Sequence, residues 1–562
     1  RGAEAFEAKW AGKLAAAAAA TGDAGLGAAI AEFEAIEETL GRIMSFAGLN
    51  YFSDTTDMTA AKFYGDAQGA VTDASSHLLF FPLELNRLDD TLAETCLAND
   101  ERAAYYRPWI LDLRLDRPHQ LEDRIEKLFH EKSITGHAAW NRLFDETMSS
   151  LKFDIDGEEL QIEPALSLLQ EADRETRRKA AKVLAETFGK HIRTSSLITN
   201  TLAKDKEISD RWHGFEDIAD SRHLANRVER PVVEALVEAV ANAAPRLSHR
   251  YYAMKAKWLG LEKLEFWERN APLPETPQRV IPWNEARETV LKAYGGFAPE
   301  MAEIAGRFFE KNWIDAPVRP GKASGAFAHP TVPSAHPYVL VNYMGKPRDV
   351  MTLAHELGHG VHQVLAGGQG PLMASTPLTL AETASVFGEM LTFRKMLENA
   401  KDQKERKVLL AGKVEDMINT VVRQIAFYDF ECKLHEARRG GELTPDDINA
   451  LWMSVQAESL GGGFEFMEGS ETFWSYIPHF VHSPFYVYAY AFGDGLVNAL
   501  YAAYEEGDPD FKEKYFAMLR AGGSKHHKDL LAPFGLDASD PAFWDKGLSM
   551  IAGFIDELEA ME

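Results

Sequence analysis

The chain has 562 residues, 46% of them hydrophobic and 26% charged, which is the composition of a globular protein long enough to bury a large core. Its 60 basic and 86 acidic side chains give a formal net charge of -26, which argues against nucleic-acid binding and against attachment to anionic membranes. With Cys96 and Cys432 as its two cysteines, the chain has neither a disulfide framework nor a cysteine metal cluster, a pattern typical of the cytoplasm.

Most of the chain carries apolar residues at helical spacing. The segment from Arg1 to Gly22 contains an alanine run but no leucine-rich stretch of the kind that directs secretion, and it is predicted to be helical. Two amphipathic segments that follow contain Phe33, Ile36, Leu40, Ile43 and Met44, and Val233, Leu236, Val237 and Val240. The sequence has no run of roughly 20 apolar residues, as a membrane-spanning helix would need. We therefore expect a mainly α, soluble, cytoplasmic protein.

Strand-like stretches are rare in this sequence. The clearest is Tyr338 to Tyr343, which follows an irregular run containing Pro and Gly at 318–337, so a small β-sheet is expected there. Four prolines at 271–282 predict a loop. A boundary signal at Arg107-Pro108 divides the chain into a predicted N-terminal helical domain, 1–110, and a second domain, 111–562.

The segment from Lys346 to Gly367 is predicted to form one helix. Pro347 suits the first turn, Asp349 lies where the helix dipole favours an acid, and two glycines end the pattern. At about 100° per residue, one side collects the apolar residues and the opposite side collects three histidines. The apolar residues are Val350, Leu353, Leu357, Val361 and Val364, and the histidines are His355, His359 and His362.

The sequence His355-Glu-Leu-Gly-His359 predicts a zinc site on this helix. Imidazoles at positions i and i+4 lie one turn apart, close enough to hold one zinc ion, while Glu356 lies beside the metal and can activate water. A catalytic zinc ion takes three protein ligands and keeps one position for water. A fourth protein side chain on the zinc ion would occupy the position of the water. We therefore expect His362 to be a neighbour of the site without a catalytic role.

The third ligand must come from elsewhere in the chain. A metzincin would need Gly at position 362 and His at position 365, and this chain has His362 and Leu365 there. Downstream, Thr379 to Glu389 is predicted to be a second helix on which Glu382 and Glu389 share a face. Glu382 is the better candidate ligand, with Glu389 supporting the site from outside. An alternative stays open, because Thr379 to Glu382 also fits a helix capping box.

Several separated motifs resemble one known family. They are His355-Glu-Leu-Gly-His359, Ala381 to Glu389, Ile477-Pro-His-Phe480 and Phe485 to Gly493. In this order they resemble the oligoendopeptidase F family of thimet oligopeptidase-like zinc metallopeptidases, most clearly between Ser324 and Gly493 and more loosely along the whole chain.

This resemblance implies a zinc endopeptidase that hydrolyses short, unfolded oligopeptides. It implies one zinc ion with Glu382 as its third ligand, and a late histidine and tyrosines, here His479, Tyr486 and Tyr490, that stabilise the oxyanion. His482 is an alternative to His479. The implied fold is a two-lobed helical metallopeptidase with a small β-sheet beside the zinc-binding helix and a deep substrate channel, with 111–562 as the catalytic domain.

Other interpretations stay open at this point. The alternation of Tyr486, Tyr488 and Tyr490 also fits an aromatic core or a strand. A related helical zinc carboxypeptidase would need a basic anchor for a terminal carboxylate, for which Arg423 is a candidate. A non-catalytic peptide-binding protein with structural zinc is a third possibility, against which the intact Glu356 argues. The strand at 338–343 is a candidate for pairing with a substrate peptide. Nothing in the sequence indicates an oligomeric state.

Overall fold

A computed structural model describes residues 1–133, 135–274, 280–323 and 325–561. In the first part of the chain the helices are α1 Gly2–Trp10, α2 Leu14–Ala18, α3 Leu26–Ser53, α4 Met58–Ser76, α5 Phe80–Arg87, α6 Asp90–Asn99, α7 Glu101–Tyr105, α8 Arg107–Arg114, α9 Asp123–Ser133, α10 His137–Ser150, α11 Ile162–Ser167, α12 Arg174–Trp212, α13 Asp220–Ala225, α14 Arg230–Ala243 and α15 Ser248–Trp258.

The later helices are α16 Trp283–Phe297, α17 Pro299–Glu310, α18 Pro347–Ala366, α19 Leu378–Ala381, α20 Ser385–Glu398, α21 Gln403–Thr420, α22 Val422–Gly440, α23 Pro445–Leu460, α24 His479–His482, α25 Tyr488–Glu505, α26 Phe511–Ala521, α27 His527–Leu531 and α28 Pro541–Glu559. The strands are β1 Phe153–Ile155, β2 Glu158–Leu160, β3 Leu264–Glu265, β4 Ile314–Pro317, β5 Phe327–His329, β6 Tyr338–Tyr343 and β7 Phe464–Glu465. The predicted mainly α class with a small sheet is confirmed.

The backbone divides into two compact units, each built from three stretches of chain. Unit 1 comprises Arg1–Pro118, Gln278–Asn399 and Ala503–Gly535, and unit 2 comprises His119–Pro277, Ala400–Ala502 and Leu536–Glu562. The predicted domain boundary at residue 110 stays a prediction. Of the predicted loop at 271–282, residues 275–279 lie outside the described residues, and the remainder forms no helix or strand.

In unit 1 an aromatic cluster holds the N-terminal helices together. The rings of Phe33 on α3 and Phe81 on α5 stack with centroids 4.8 Å apart, and Phe6 on α1 meets Phe81 edge-on at 5.2 Å. The amphipathic prediction for α3 is correct for Phe33, which is buried, whereas Ile43 is 41% exposed. The difference arises because α3 is 28 residues long and its second half extends past this cluster.

Beside α18 in unit 1 lies a sheet of three strands in the order β4-β6-β5. The central strand β6 runs parallel to β4 and antiparallel to β5, and β5 pairs with Tyr338, Val339 and Leu340. The suggestion that the strand pairs with a substrate peptide is contradicted at these three residues, and for 341–343 it stays a prediction. Strand β5 was not predicted, because its three residues lie inside the irregular run 318–337 and its pairing with β6 is not a local signal.

Helix α18 begins and ends within one residue of its predicted limits. Its buried residues include Val350, Leu353, Leu357 and Val361, as the helical period predicts. Gly358 is required by a close approach: a Cβ at this position would lie 2.4 Å from the carbonyl oxygen of Ala384. The contact brings the start of α20 directly against the histidine-bearing helix.

In unit 2 the longest helix, α12, contributes buried Phe188, which stacks on Tyr476 at 5.3 Å and meets Phe473 edge-on at 5.4 Å. Tyr476 and Phe473 belong to a 3₁₀ helix, Ser470–Tyr476, that leads directly into α24. This packing fixes the chain immediately before His479.

Among the helices in the described ranges, we find none long and apolar enough to cross a membrane.

Candidate metal centre and the His479 cluster

Unit 1 brings His355, His359 and Glu382 to one point. The Nε2 atoms of the two histidines lie 3.3 and 3.4 Å from Oε2 of Glu382. One ligand atom from each of the three side chains lies within 4.8 Å of the others. Ligand atoms about 2.1 Å from a tetrahedral zinc ion are about 3.4 Å apart, so this spacing suits one ion. Two imidazoles and a carboxylate are also the donor set of catalytic zinc sites.

Glu382 reaches the histidines from a break between two helices. The predicted continuous helix from Thr379 to Glu389 is wrong, because α19 ends at Ala381 and α20 begins at Ser385. The capping-box interpretation is also wrong, since α19 begins after Pro377. Instead, Oε2 of Glu382 accepts a hydrogen bond of 2.6 Å from the Ser385 hydroxyl. This bond orients the carboxylate from the first residue of α20.

Glu389 supports the site from behind His355. Its Oε2 lies 3.2 Å from Nδ1 of His355, the ring nitrogen on the far side from Glu382. When Nε2 binds a metal, Nδ1–H donates to Glu389, which fixes the ring orientation and its tautomer. Burial alone would lower the pKa of His355, but the hydrogen bond to Glu389 and the charges of Glu382 and Glu389 outweigh it and raise this pKa to about 9.

Glu356 is a buried carboxylate next to these ligands. Burial, opposed by the charge of His355 and assisted by that of Glu382, raises the pKa of Glu356 to about 7. A backbone N–H bond from Ala328 on β5 acts in the opposite direction and holds the carboxylate in place. A carboxylate with a pKa near neutrality can both accept and return a proton at physiological pH.

His362 is not brought to the group of ligand atoms. It is buried, and its Nε2 lies 3.3 Å from the Thr376 hydroxyl. Burial, reinforced by nearby His359, lowers the pKa of His362 to about 4, so this ring is neutral. The arrangement agrees with the expectation that His362 is a packing neighbour.

In unit 2 the structure brings His479, Tyr486 and Tyr490 together. Nε2 of His479 lies 3.1 Å from the Tyr490 hydroxyl, and the Tyr486 ring is 6.4 Å from His479 and 5.3 Å from Tyr490. His482 points elsewhere, with its Nε2 2.8 Å from Oδ1 of Asp145. His479, rather than His482, is therefore the histidine that belongs with the two tyrosines.

Of the two alternatives for these tyrosines, an aromatic core or a strand, the strand is wrong. Helix α25 begins at Tyr488, which is buried and accepts a 2.9 Å hydrogen bond from the side-chain amide of Asn226. Before the helix, Phe485 has φ of 60°, and its backbone N–H donates to buried Glu431 at 2.8 Å. This tight turn sets Tyr486 apart from the helix and next to His479.

Three partners of the predicted residues were missed from the sequence. Ser385 stands three residues after Glu382, which is a helical neighbour spacing and so a usable signal. The backbone of Ala328 and the carboxylate of Asp145 are far from their partners in the chain, and no local pattern identifies them.

Two histidines and a glutamate converging beside a buried glutamate define the chain as a metallopeptidase. Residues 167–550 match Peptidase family M3, and residues 84–153 match Oligopeptidase F. The chain belongs to peptidase family M3, and it is a metalloendopeptidase. Because the M3 match covers more than half of the chain, the predicted resemblance is confirmed.

The sequence similarity to two named relatives covers most of this chain. Oligopeptidase PepF of Bacillus subtilis is 27% identical over 536 residues, covering 94% of this chain and 79% of the relative. Group B oligopeptidase PepB of Streptococcus agalactiae is 26% identical over 532 residues, covering 93% and 88%.

Solved structures share the fold. Oligoendopeptidase-F from Enterococcus faecium has a TM-score of 0.74 and 23% identity, covering 100% of this chain and 96% of that one. PZ peptidase A, solved with an inhibitor, has a TM-score of 0.75 and 17% identity, covering 100% and 98%.

Proposed function

We propose that this protein hydrolyses internal peptide bonds of short, unfolded oligopeptides with one zinc ion held by His355, His359 and Glu382. The observation that carries the proposal is the spacing of their ligand atoms, 3.3 and 3.4 Å, next to a buried carboxylate. The oligopeptide substrates are supported by the names of the relatives. A cavity of about 450 Å³, lined by His359 and by residues of the β5–β6 connection, gives a peptide side chain room beside the ligands.

Each residue has a defined part in the proposed reaction. Bound zinc would acidify a water molecule and polarise the peptide carbonyl. Glu356, a buried carboxylate beside the ligands, takes the proton from that water and passes it to the leaving amine. Glu389 keeps His355 oriented for ligation. His479, aligned by Tyr490, and the nearby Tyr486 donate hydrogen bonds to the developing oxyanion.

The test uses an internally quenched peptide of about ten residues, blocked at both ends, with products identified by mass. We expect internal cleavage by the zinc-loaded protein, loss of cleavage with a chelator, and a fall of at least about 10³-fold in kcat for Glu356→Gln. Zinc content, measured by mass spectrometry, should remain one ion per chain in Glu356→Gln.

Two results would contradict this proposal. Cleavage restricted to peptides with a free C-terminus would indicate the carboxypeptidase alternative. Retained zinc without cleavage of any peptide would indicate a structural metal. The cytoplasmic location stays a prediction, to be checked by fractionating cells and assaying the blocked peptide.

A further inference from the structure

Unit 2 contains a small polar cavity that none of the proposed catalytic steps uses. It is lined by Arg269, by Arg423 in the first turn of α22, and by Gln456 on α23. Aromatic side chains, among them Trp452 and Phe473, form the rest of the wall. The volume open to the centre of a water molecule is about 20 Å³. That space holds one or two waters or a single carboxylate, but no whole side chain.

Three polar side chains that line this cavity each have an atom without a hydrogen-bond partner. In the described part of the chain, Nε of Arg269, Nε of Arg423 and Nε2 of Gln456 are all buried without a hydrogen bond. Gln456 as a whole is 6% exposed. The contact recorded for the Arg423 guanidinium is the ring of Phe427, 4.9 Å away. Three donor atoms without a hydrogen bond thus belong to side chains that line one small cavity.

Two buried cations of unit 2 have acidic partners. Lys255, fully buried, forms an ion pair with Glu415, and buried Arg177 lies 3.7 Å from buried Glu268. Uncompensated buried charge is costly, and proteins normally neutralise it with an opposite charge. Burial and the neighbouring charge of Arg423 lower the pKa of Arg269 to about 10, so it remains a cation at neutral pH beside a second one.

We propose that Arg269, Arg423 and Gln456 form a binding site for one carboxylate group of a peptide. A carboxylate can accept hydrogen bonds from two guanidiniums and an amide at once, and it supplies the negative charge that this cavity lacks. A bridging water satisfies donors but leaves both charges uncompensated. The assignment of a peptide as the ligand rests on the proposed function.

The position of the cavity in the chain supports a peptide ligand. Tyr476 and Ile477 line it, and His479 follows two residues later. Burial, with the positive charges of Arg423 and His482, lowers the pKa of His479. A peptide whose carboxylate binds here therefore lies next to the His479 cluster.

Two sources of the carboxylate are distinguished by three matched peptides. One ends in a free C-terminal carboxylate, one is its neutral C-terminal amide, and one is an amide with glutamate near the C-terminus. All are internally quenched, and KM and kcat are measured separately. We expect KM for at least one acidic peptide to be about tenfold or more below that of the neutral amide, because charge-assisted hydrogen bonds discriminate strongly.

Variants of the arginines test which residues cause the difference in KM between neutral and acidic peptides. In Arg269→Met and Arg423→Met the ratio of KM between neutral and acidic peptides should fall to about one, and Arg423→Lys should restore part of it. Arg439→Met is the matched control, since Arg439 lies on the same helix and pairs with Glu436 at the surface. The control should keep the wild-type ratio. Equal KM for all three peptides in the wild type, or an unchanged ratio in both methionine variants, would overturn the proposal.

Binding and stability give readouts that do not depend on hydrolysis. Calorimetry with an N-acetylated tripeptide acid, its amide and inorganic phosphate should show binding of the acid, lost in Arg423→Met. Binding of phosphate with no binding of the peptide acid would refute a peptide site. Without ligand, Arg269→Met should melt about 2 °C or more above the wild type, because it removes one of two neighbouring positive charges. If no peptide is cleaved but the acid still binds, the proposed function fails and the carboxylate site stands.

Discussion

Gly358→Ala is expected to damage the metal centre without touching a ligand. The added Cβ would lie 2.4 Å from the carbonyl oxygen of Ala384 and 2.5 Å from Cα of Ser385. Ordinary contact begins near 3.4 Å, so the two segments must separate by about 1 Å. Both opposing atoms are backbone atoms, and no side-chain rotation can relieve the clash. Since Ser385 holds Glu382, this separation moves the third ligand away from the two histidines.

The magnitude follows from the tolerance of zinc ligation. Distances in a zinc site hold to about 0.2 Å, and a shift of about 1 Å exceeds that several times. We expect zinc affinity to fall at least about tenfold, and overpacking to lower the free energy of unfolding by about 1–3 kcal/mol. Competition with a chromophoric chelator measures the first quantity, and urea denaturation of the chelated protein measures the second.

Gly306→Ala is the matched control for this substitution. Gly306 lies inside α17 of the same unit, and an added Cβ meets no atom within 4 Å. Alanine there should stabilise the helix by about 0.5–1 kcal/mol and leave zinc affinity unchanged. If Gly358→Ala matched Gly306→Ala in both measurements, the close approach would not position Glu382 as we argue.

Three further substitutions test separate parts of the structure. Glu389→Gln should weaken zinc binding by about 10–100-fold, seen in chelator competition, because it removes the charged partner of a ligating ring; an unchanged affinity would contradict this role. His479→Gln should lower kcat by about 10²–10³-fold at constant zinc content, whereas His482→Gln should change kcat by less than about threefold, and equal losses would be inconsistent with the geometry. Glu431→Gln tests how stability depends on pH. Burial raises the pKa of Glu431 to about 8 in the folded state, against about 4.5 in the unfolded state, so folding takes up a proton between these two pH values. The free energy of unfolding of the wild type therefore falls as pH rises from about 4.5 to 8. The glutamine variant should match the wild type near pH 5 and exceed it by about 2–4 kcal/mol near pH 8.5, in denaturation curves at both pH values; a difference that does not grow with pH would refute this linkage.

Much of the candidate metal centre could be predicted from the sequence, because its residues lie in patterns that span only a few helical turns. Pro347 and Gly367 delimit α18, and the helical period places the histidines opposite the apolar residues Val350, Leu353, Leu357 and Val361. The existence of a sheet before α18 was equally visible in the run Tyr338–Tyr343. These predictions needed neighbours within one or two helical turns and nothing from the rest of the chain.

The structural features that the sequence predicted wrongly or did not predict depend on contacts between segments that are distant in the chain. The propensity of Thr379–Glu389 is helical throughout, yet the chain breaks at Glu382 where α20 meets α18 at Gly358. Strand β5 is too short to be recognised without its partner β6. In each case a tertiary contact, invisible to periodicity, overrides or completes the local preference.

The cavity lined by Arg269 and Arg423 is a further feature that local sequence patterns do not reveal. The sequence offers Arg423 either as an anchor for a terminal carboxylate or as an ordinary ion-pair partner, and it gives no signal for Arg269. Only the fold shows that the two arginines line one cavity with Gln456 and that the described lining of this cavity includes no acidic side chain. A pattern finds a metal site because its ligands repeat along one helix. A site proposed from a missing counter-charge depends on the full three-dimensional environment, which no motif along one helix contains.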